Sequence, residues 1–276
     1  MVRNRWFTSL LVICAGVCIG FLVLPLVALI LRAPPGELFR ALGSPAVIDA
    51  LVVTLKTNLI AQGLILVVGT PAAYLLATRR FRGRQVLLSL IELPLVLPPV
   101  VAGIALLSAF GRAGLLGDAL NASGLSISFT QIAVVLAVAF VASPFFLRQG
   151  VAAFAAIDPD VFEAARTLGA PAHRVFGRIA LPLAWGGLGA GAALAFARGL
   201  GEFGATIIFA GSIQGSTQTL PLAIYAELDR NFEAAVSISV LLVAVSIVVL
   251  ATVKLVPSWL PLTSQSPSHF APSNST

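Results

Sequence analysis

Glu163-Ala-Ala-Arg-Thr-Leu-Gly169, followed after nine residues by Ile179-Ala-Leu-Pro182, is the stretch that decides the fold. Hydropathy alone makes it an interruption between two apolar runs. Its local chemistry makes it a helix. Asp158 can cap the N-terminus, with Pro159 at the first helical position. Glu163-Ala-Ala-Arg continues with strong helix formers. Gly169 can close the helix in the left-handed conformation, and Ala170-Pro171 then turns the chain away. The expected product is a short helix standing outside the apolar runs, compact enough to seat in a partner's cleft.

Outward from that stretch, six long apolar segments emerge: Trp6–Leu31, Ala50–Ala77, Val86–Phe110, Thr130–Leu147, Leu181–Gly201 and Phe232–Val256. At about 1.5 Å per residue each can cross a hydrocarbon core of about 30 Å. A chain that spans lipid must satisfy its backbone amides internally, and the roughly ten-residue alternation of a barrel strand is not visible. The expected fold is all-α, a polytopic membrane protein with six transmembrane helices. Arg3 and Arg5 precede a first run too long for a cleavable signal, which reads as an uncleaved signal-anchor.

Eleven basic residues fall on one set of connections (Arg3, Arg5, Arg79, Arg80, Arg82, Arg84, Arg148, Arg166, Arg174, Arg178 and Lys254). Four fall on the other set (Arg32, Arg40, Arg112 and Arg230). The positive-inside rule then puts both termini in the cytoplasm of a cell membrane. Residues 202–231 hold two short apolar pieces, Phe203–Ala210 and Leu220–Ala226, around the polar turn Gly211–Thr219. They read as a re-entrant or outward-lying hairpin; a single crossing there would put the C-terminus outside. The organisation is an anchor helix and outer loop (1–49), a membrane domain (50–256, with its cytoplasmic loop at 157–182) and a Ser/Pro-rich tail (257–276) expected to be disordered.

Composition excludes several classes. The chain has 276 residues, 58% hydrophobic and only 10% charged. Soluble domains carry about 25% charged residues. A net charge of +6 would suggest nucleic acid in a soluble protein, but here it serves topology, and no nucleic-acid partner is expected. No phosphate-cradling GxxxxGK[ST] loop exists, so any nucleotide hydrolysis falls to a partner. Gly199-Leu-Gly201-Glu-Phe-Gly204 matches a dinucleotide fingerprint but lacks its strand, so its glycines read as close helix approach or a helix break. Two histidines, His173 and His269, form no zinc pattern. Cys14 and Cys18 share one helix face and read as small apolar filler. The five aspartates lie in loops or at segment ends, which gives no support to intramembrane proteolysis. No catalytic residue, metal site or cofactor is expected in this chain.

Three prolines in six residues, Pro94, Pro98 and Pro99, must bend or break the third segment. Tolerance of proline in membrane helices is one reading; a bend beside a transport path is the other. Arg198 and Glu202 stand one turn apart near the end of the fifth segment, where each charge would cost roughly 2.5–3.5 kcal/mol at the bilayer centre. They read either as a self-neutralising pair or as an arginine tuning a path for an anion, with Thr206 one turn further on. Lys56, Asn58 and Gln62 form a polar stripe on the second segment, suited to interhelical hydrogen bonds.

The spacing of the opening stretch matches the EAA(x3)G(x9)IxLP signature of ABC importer permeases at every fixed position: Glu163, Ala164, Ala165, Gly169, Ile179, Leu181 and Pro182. From about Leu51 to Lys254 the chain resembles permeases of the type I importer group, and within it the molybdate permeases. Leu93-Pro-Leu-Val-Leu-Pro-Pro-Val-Val101, Phe196-Ala-Arg-Gly-Leu-Gly-Glu-Phe-Gly-Ala-Thr206, Phe209-Ala-Gly-Ser-Ile213 and Thr217-Gln-Thr-Leu-Pro-Leu-Ala-Ile-Tyr225 carry that likeness. The resemblance implies a homodimer in membrane lipid around a central path. It also implies two cytoplasmic ABC ATPase subunits that hold ATP and Mg, and an external molybdate- or oxyanion-binding protein. The loop at Ile157–Phe176 would be the coupling helix, and the path or gate would draw on Pro94, Pro98, Pro99, Arg198, Glu202 and Thr206. Sulfate and tungstate, similar tetrahedral dianions, remain alternatives; a channel without an ATPase is a remoter one.

Overall fold

The computed structural model describes residues 5–255 of the chain; the Ser/Pro tail lies outside them. All regular structure among the described residues is helical. In chain order the helices are α1 (Arg5–Arg32), α2 (Pro35–Gly43), α3 (Pro45–Thr78), α4 (Arg84–Val96), α5 (Pro99–Phe110), α6 (Gly117–Ala122), α7 (Gln131–Ala155), α8 (Pro159–Thr167), α9 (Ala172–Val175), α10 (Leu181–Leu200), α11 (Gly204–Ala210), α12 (Leu220–Leu228) and α13 (Phe232–Leu255). A π-turn, Phe176–Ala180, joins α9 to α10, so that Ala172–Leu200 runs as one long helix.

Among the described residues five helices are long and apolar enough to cross a membrane, and α4 with α5 makes a sixth crossing if that bent pair is one span. Most of the expected segments appear, with longer bounds. Helical hydrogen bonding does not stop where the apolar run stops, so α3 and α7 continue past the hydrocarbon length. The third segment differs most. It is two helices, bent by 117° between Val96 and Pro99. Pro98 and Pro99 cannot donate to the preceding turn, and Pro99 instead starts a new helix where no donor is required. Pro94 sits inside α4 without breaking it. Two short helices, α2 and α6, lie in connections that hydropathy leaves blank.

The centre is a three-helix stack of α3, α7 and the long Ala172–Leu200 helix. Small residues set its spacing. A Cβ on Gly150 would meet Ala73 at 2.9 Å, and one on Gly187 would meet Ala153 at 2.4 Å. Lipid tails are as apolar as leucine, so close backbone approach rather than water exclusion drives such packing. Phe146, Phe154, Ala142 and Ala184 fill the middle. By contrast α1 leans on α13 and buries none of its apolar window, leaving Cys14 and Cys18 as exposed free thiols.

Residues 202–231 hold the two expected short helices, α11 and α12, which pack on different neighbours. Protein covers both: α11 packs on α5 and α7, and α12 on α13 and α3. The Thr54 hydroxyl fastens α12, donating to the Ala50 carbonyl at 2.6 Å and accepting from the Leu220 amide at 2.8 Å. That amide is one of the unpaired donors at the start of α12, and buried inside the protein it requires a partner.

Candidate functional site

The loop helix α8 is built as the sequence expects. The Asp158 carboxylate accepts from the Asp160 amide at 2.9 Å, and Pro159 opens the helix. Gly169 adopts φ 74°, its amide donates to the Arg166 carbonyl at 2.9 Å, and the Ala170 amide donates to Ala165 at 3.0 Å. Those two bonds are the paired closure of a left-handed helix end. A Cβ on Gly169 would meet nothing within 4 Å, so glycine is required there by backbone angle alone.

The two faces of α8 differ. Glu163, Ala164 and Arg166 are exposed, and Leu168 at the tip is 87% exposed. Ala165 is buried and Phe162 half-buried against the membrane body. There Tyr74 of α3 gathers three rings: Phe176 at 4.9 Å, Phe154 at 5.3 Å and Phe162 at 6.5 Å between centroids. Phe154 and Phe176 also meet at 6.4 Å. Sequence reasoning missed this cluster. The signal available was a lone aromatic, Phe162, three residues before Ala165 on one helix face.

The second half of the signature lies elsewhere than expected. Ile179, Leu181 and Pro182 are not loop residues; they belong to the long helix that starts at Ala172, so the loop ends near Pro171. Pro182 explains the π-turn just before it. Its ring would clash with the carbonyl four residues back, and the Leu181 amide reaches the Phe176 carbonyl across a wider turn.

A second cluster forms around the proline break. Gly204 brings α11 against α5 so closely that its Cβ would lie 2.5 Å from the Pro99 Cβ. A Cβ on Gly103 would lie 2.8 Å from the Ile208 Cβ and 2.9 Å from the Ala205 carbonyl oxygen. Two residues before Gly204, Glu202 is 2% exposed. Its Oε1 accepts from the Ala205 amide at 2.8 Å, and its Oε2 lies 2.8 Å from the Arg198 Nη2. The contact to Arg198 has ion-pair distance without hydrogen-bond alignment. Arg198 itself keeps about a quarter of its side chain open. Thr206 is wholly buried and its hydroxyl has no hydrogen-bond partner, so it does not face an open path in this conformation.

The glycines of the fingerprint-like stretch therefore serve packing. Gly199 would clash with Asn58 and Val138, Gly204 with Pro99, and Gly201 lies free at the helix end. Of the polar stripe on α3, Lys56 donates to Gln131 at 2.9 Å and Asn58 reaches the Phe196 carbonyl at 3.5 Å. The Gln62 amide is buried without a partner. No group of three or more metal-ligating side chains occurs among the described residues.

Residues 66–259 match the model of a family described as binding-protein-dependent transport system inner membrane component. The chain belongs to this family. It is a multi-pass permease subunit of the inner membrane. The permease is 47% identical over 233 residues to the molybdenum transport system permease protein ModB of Mycobacterium tuberculosis, covering 84% of this chain and 88% of that one. It is 34% identical over 255 residues to the sulfate transport system permease protein CysT of Escherichia coli, covering 91% and 90%. Among solved structures, a bacterial alginate ABC transporter in complex with its periplasmic protein aligns with TM-score 0.72 at 15% identity, over 92% of this chain and 93% of that one. The inward-facing methionine transporter MetNI aligns with TM-score 0.61 at 19% identity, over 76% and 93%. At those identities the structures establish the fold, and the fold is that of ABC importer permeases.

Proposed function

We propose that the permease imports molybdate, as one of two identical copies around a central path. Two cytoplasmic ABC ATPase subunits, carrying ATP and Mg, drive it, and an external oxyanion-binding protein feeds it. The observation that carries this reading is the 47% identity to a molybdenum permease over most of both chains. The lower identity to a sulfate permease keeps a related tetrahedral dianion, sulfate or tungstate, as the second reading. Both termini lie in the cytoplasm, in accord with the eleven basic residues on that side.

In this reading α8 seats in the ATPase, with Glu163, Ala164, Ala165 and Gly169 shaping the seated helix. Ile179, Leu181 and Pro182 link it to the long span. Binding of ATP to the closed ATPase dimer favours the outward-facing state, and hydrolysis restores the inward-facing one, which is alternating access by differential binding. Through the Tyr74 ring cluster, Phe162 ties α8 to α3, to α7 and to the π-turn at Phe176 rather than leaving it to swing freely. Pro98 and Pro99, with Arg198 and Glu202, form the gate region, flanked by Pro94 and Thr206. Co-expression with the ATPase and binding protein, followed by uptake of molybdate and of sulfate into proteoliposomes, tests the reading. ATP-dependent molybdate uptake that sulfate competes for poorly is expected. Preferential sulfate uptake would move the assignment to the second reading.

A further inference from the structure

A second arginine–glutamate pair lies in the cytoplasmic half of the membrane body. By hydropathy Arg148 falls in a loop, yet it stands inside α7, seven residues before the helix ends at Ala155, or about 10 Å along the axis. Glu92 stands on α4, eight residues after Arg84, about 12 Å along it. The Arg148 Nε lies 3.8 Å from the Glu92 Oε1. Their side chains are 72% and 50% exposed.

Charges this open on a span are costly against hydrocarbon and mark water-filled cavities or protein partners. The helix that carries Glu92 says the same. All thirteen residues of α4 escape burial in this chain, and its packing is against α7. Lipid covers exposed leucines and valines such as Leu90 and Leu93 at no cost, but not the open carboxylate of Glu92. At its far end the proline break fixes α4 to α5, which is locked on α11 beside Arg198 and Glu202. The C-terminal end of α4 at Val96 therefore lies three residues before the Pro99–Gly204 contact.

We propose that Arg148 and Glu92 face the water-filled path between two copies of the chain and act as its inner-half relay for a tetrahedral dianion. This rests on the importer reading above. Arg148 offers the guanidinium fork that suits a tetrahedral oxyanion, and Glu92 competes for it. The looseness of the pair fits that role: a passing anion must be held well enough to enter and weakly enough to leave. The outer pair is its opposite, short and with its carboxylate buried.

The test uses the permease reconstituted with its ATPase subunits in proteoliposomes. Arg148→Gln should lower the rate of molybdate uptake about tenfold or more, the loss expected for one charge-assisted hydrogen bond. Arg148→Lys should retain part of it. Glu92→Gln should lower KM and the maximal rate together, because an unopposed guanidinium holds the anion. The double variant Arg148→Met, Glu92→Leu separates this from a lipid-facing or structural bridge. Replacing an ion pair by apolar side chains of similar size leaves a structural site near neutral. A double variant that assembles with the ATPase but has lost uptake supports the relay; wild-type uptake in it overturns the relay. Glu92→Cys, built with Cys14 and Cys18 replaced by serine, gives a reading independent of transport. An anionic membrane-impermeant thiol reagent should label it, and absence of labelling would overturn the water-filled face. If the unmodified complex imports no oxyanion, the importer reading falls, and the relay with it.

Discussion

The loop helix α8 and the α5–α11 contact are both small structures with glycines at their key positions, yet they are held by different forces. In α8 the glycine is needed for its backbone angle. Gly169 sits at φ 74° with open space around it. In the α5–α11 contact the glycines are needed for room, with Gly204 and Gly103 each leaving under 3 Å for a Cβ. One structure is encoded within about a dozen consecutive residues. The other exists only when residues a hundred positions apart meet. A helix closed by a cap and a terminal glycine can be specified locally, whereas a contact between spans depends on close packing of distant residues.

That contrast can be broken, with the largest effect expected at the packed contact. Gly204→Val should destabilise the permease by about 3 kcal/mol or more, since the clash is with the rigid Pro99 ring. The measurement is thermal unfolding in detergent, and a variant as stable as the parent would remove the packing account. Thr54→Val should lose about 1–3 kcal/mol by leaving the Leu220 amide unpaired in a buried site. Here too the readout is detergent stability, with proteolytic cleavage between 211 and 219 as the local signature.

At α8 the costs should be smaller and the functional consequence larger. Gly169→Val places a branched side chain in the left-handed region, worth about 1–2 kcal/mol. Gly169→Asn, which tolerates that region, should be milder, although a crowding effect would treat the two alike. Comparing the uptake-to-hydrolysis ratio of the two variants tells them apart. Asp158→Ala removes one capping bond and should cost about 1 kcal/mol, seen as faster backbone amide exchange in residues 159–163.

The same contrast explains what the sequence makes legible. Caps, helix formers and a terminal glycine are local chemistry, so α8 could be drawn from Asp158 to Gly169 in advance. Membrane spans were legible from composition, and the break from Pro98 and Pro99, which cannot donate. The two short helices of residues 202–231 followed from two apolar runs too short to cross. What was not legible depended on partners distant in sequence. Nothing near Phe162 announces Tyr74 and Phe154, and nothing near Gly204 announces that Pro99 would lie against it. The start of the fifth span at Ala172 was hidden by Arg174 and Arg178, because polarity marks the edge of lipid and not the end of a helix.

The central claim is that α8 couples ATP hydrolysis to oxyanion import. Molybdate uptake and ATP hydrolysis should be measured side by side in the same proteoliposomes, for the wild-type complex and for Gly169→Val. Uptake that tracks hydrolysis in the wild type, with hydrolysis persisting but uptake lost in Gly169→Val, is the expected result. Wild-type uptake per ATP in Gly169→Val would contradict it.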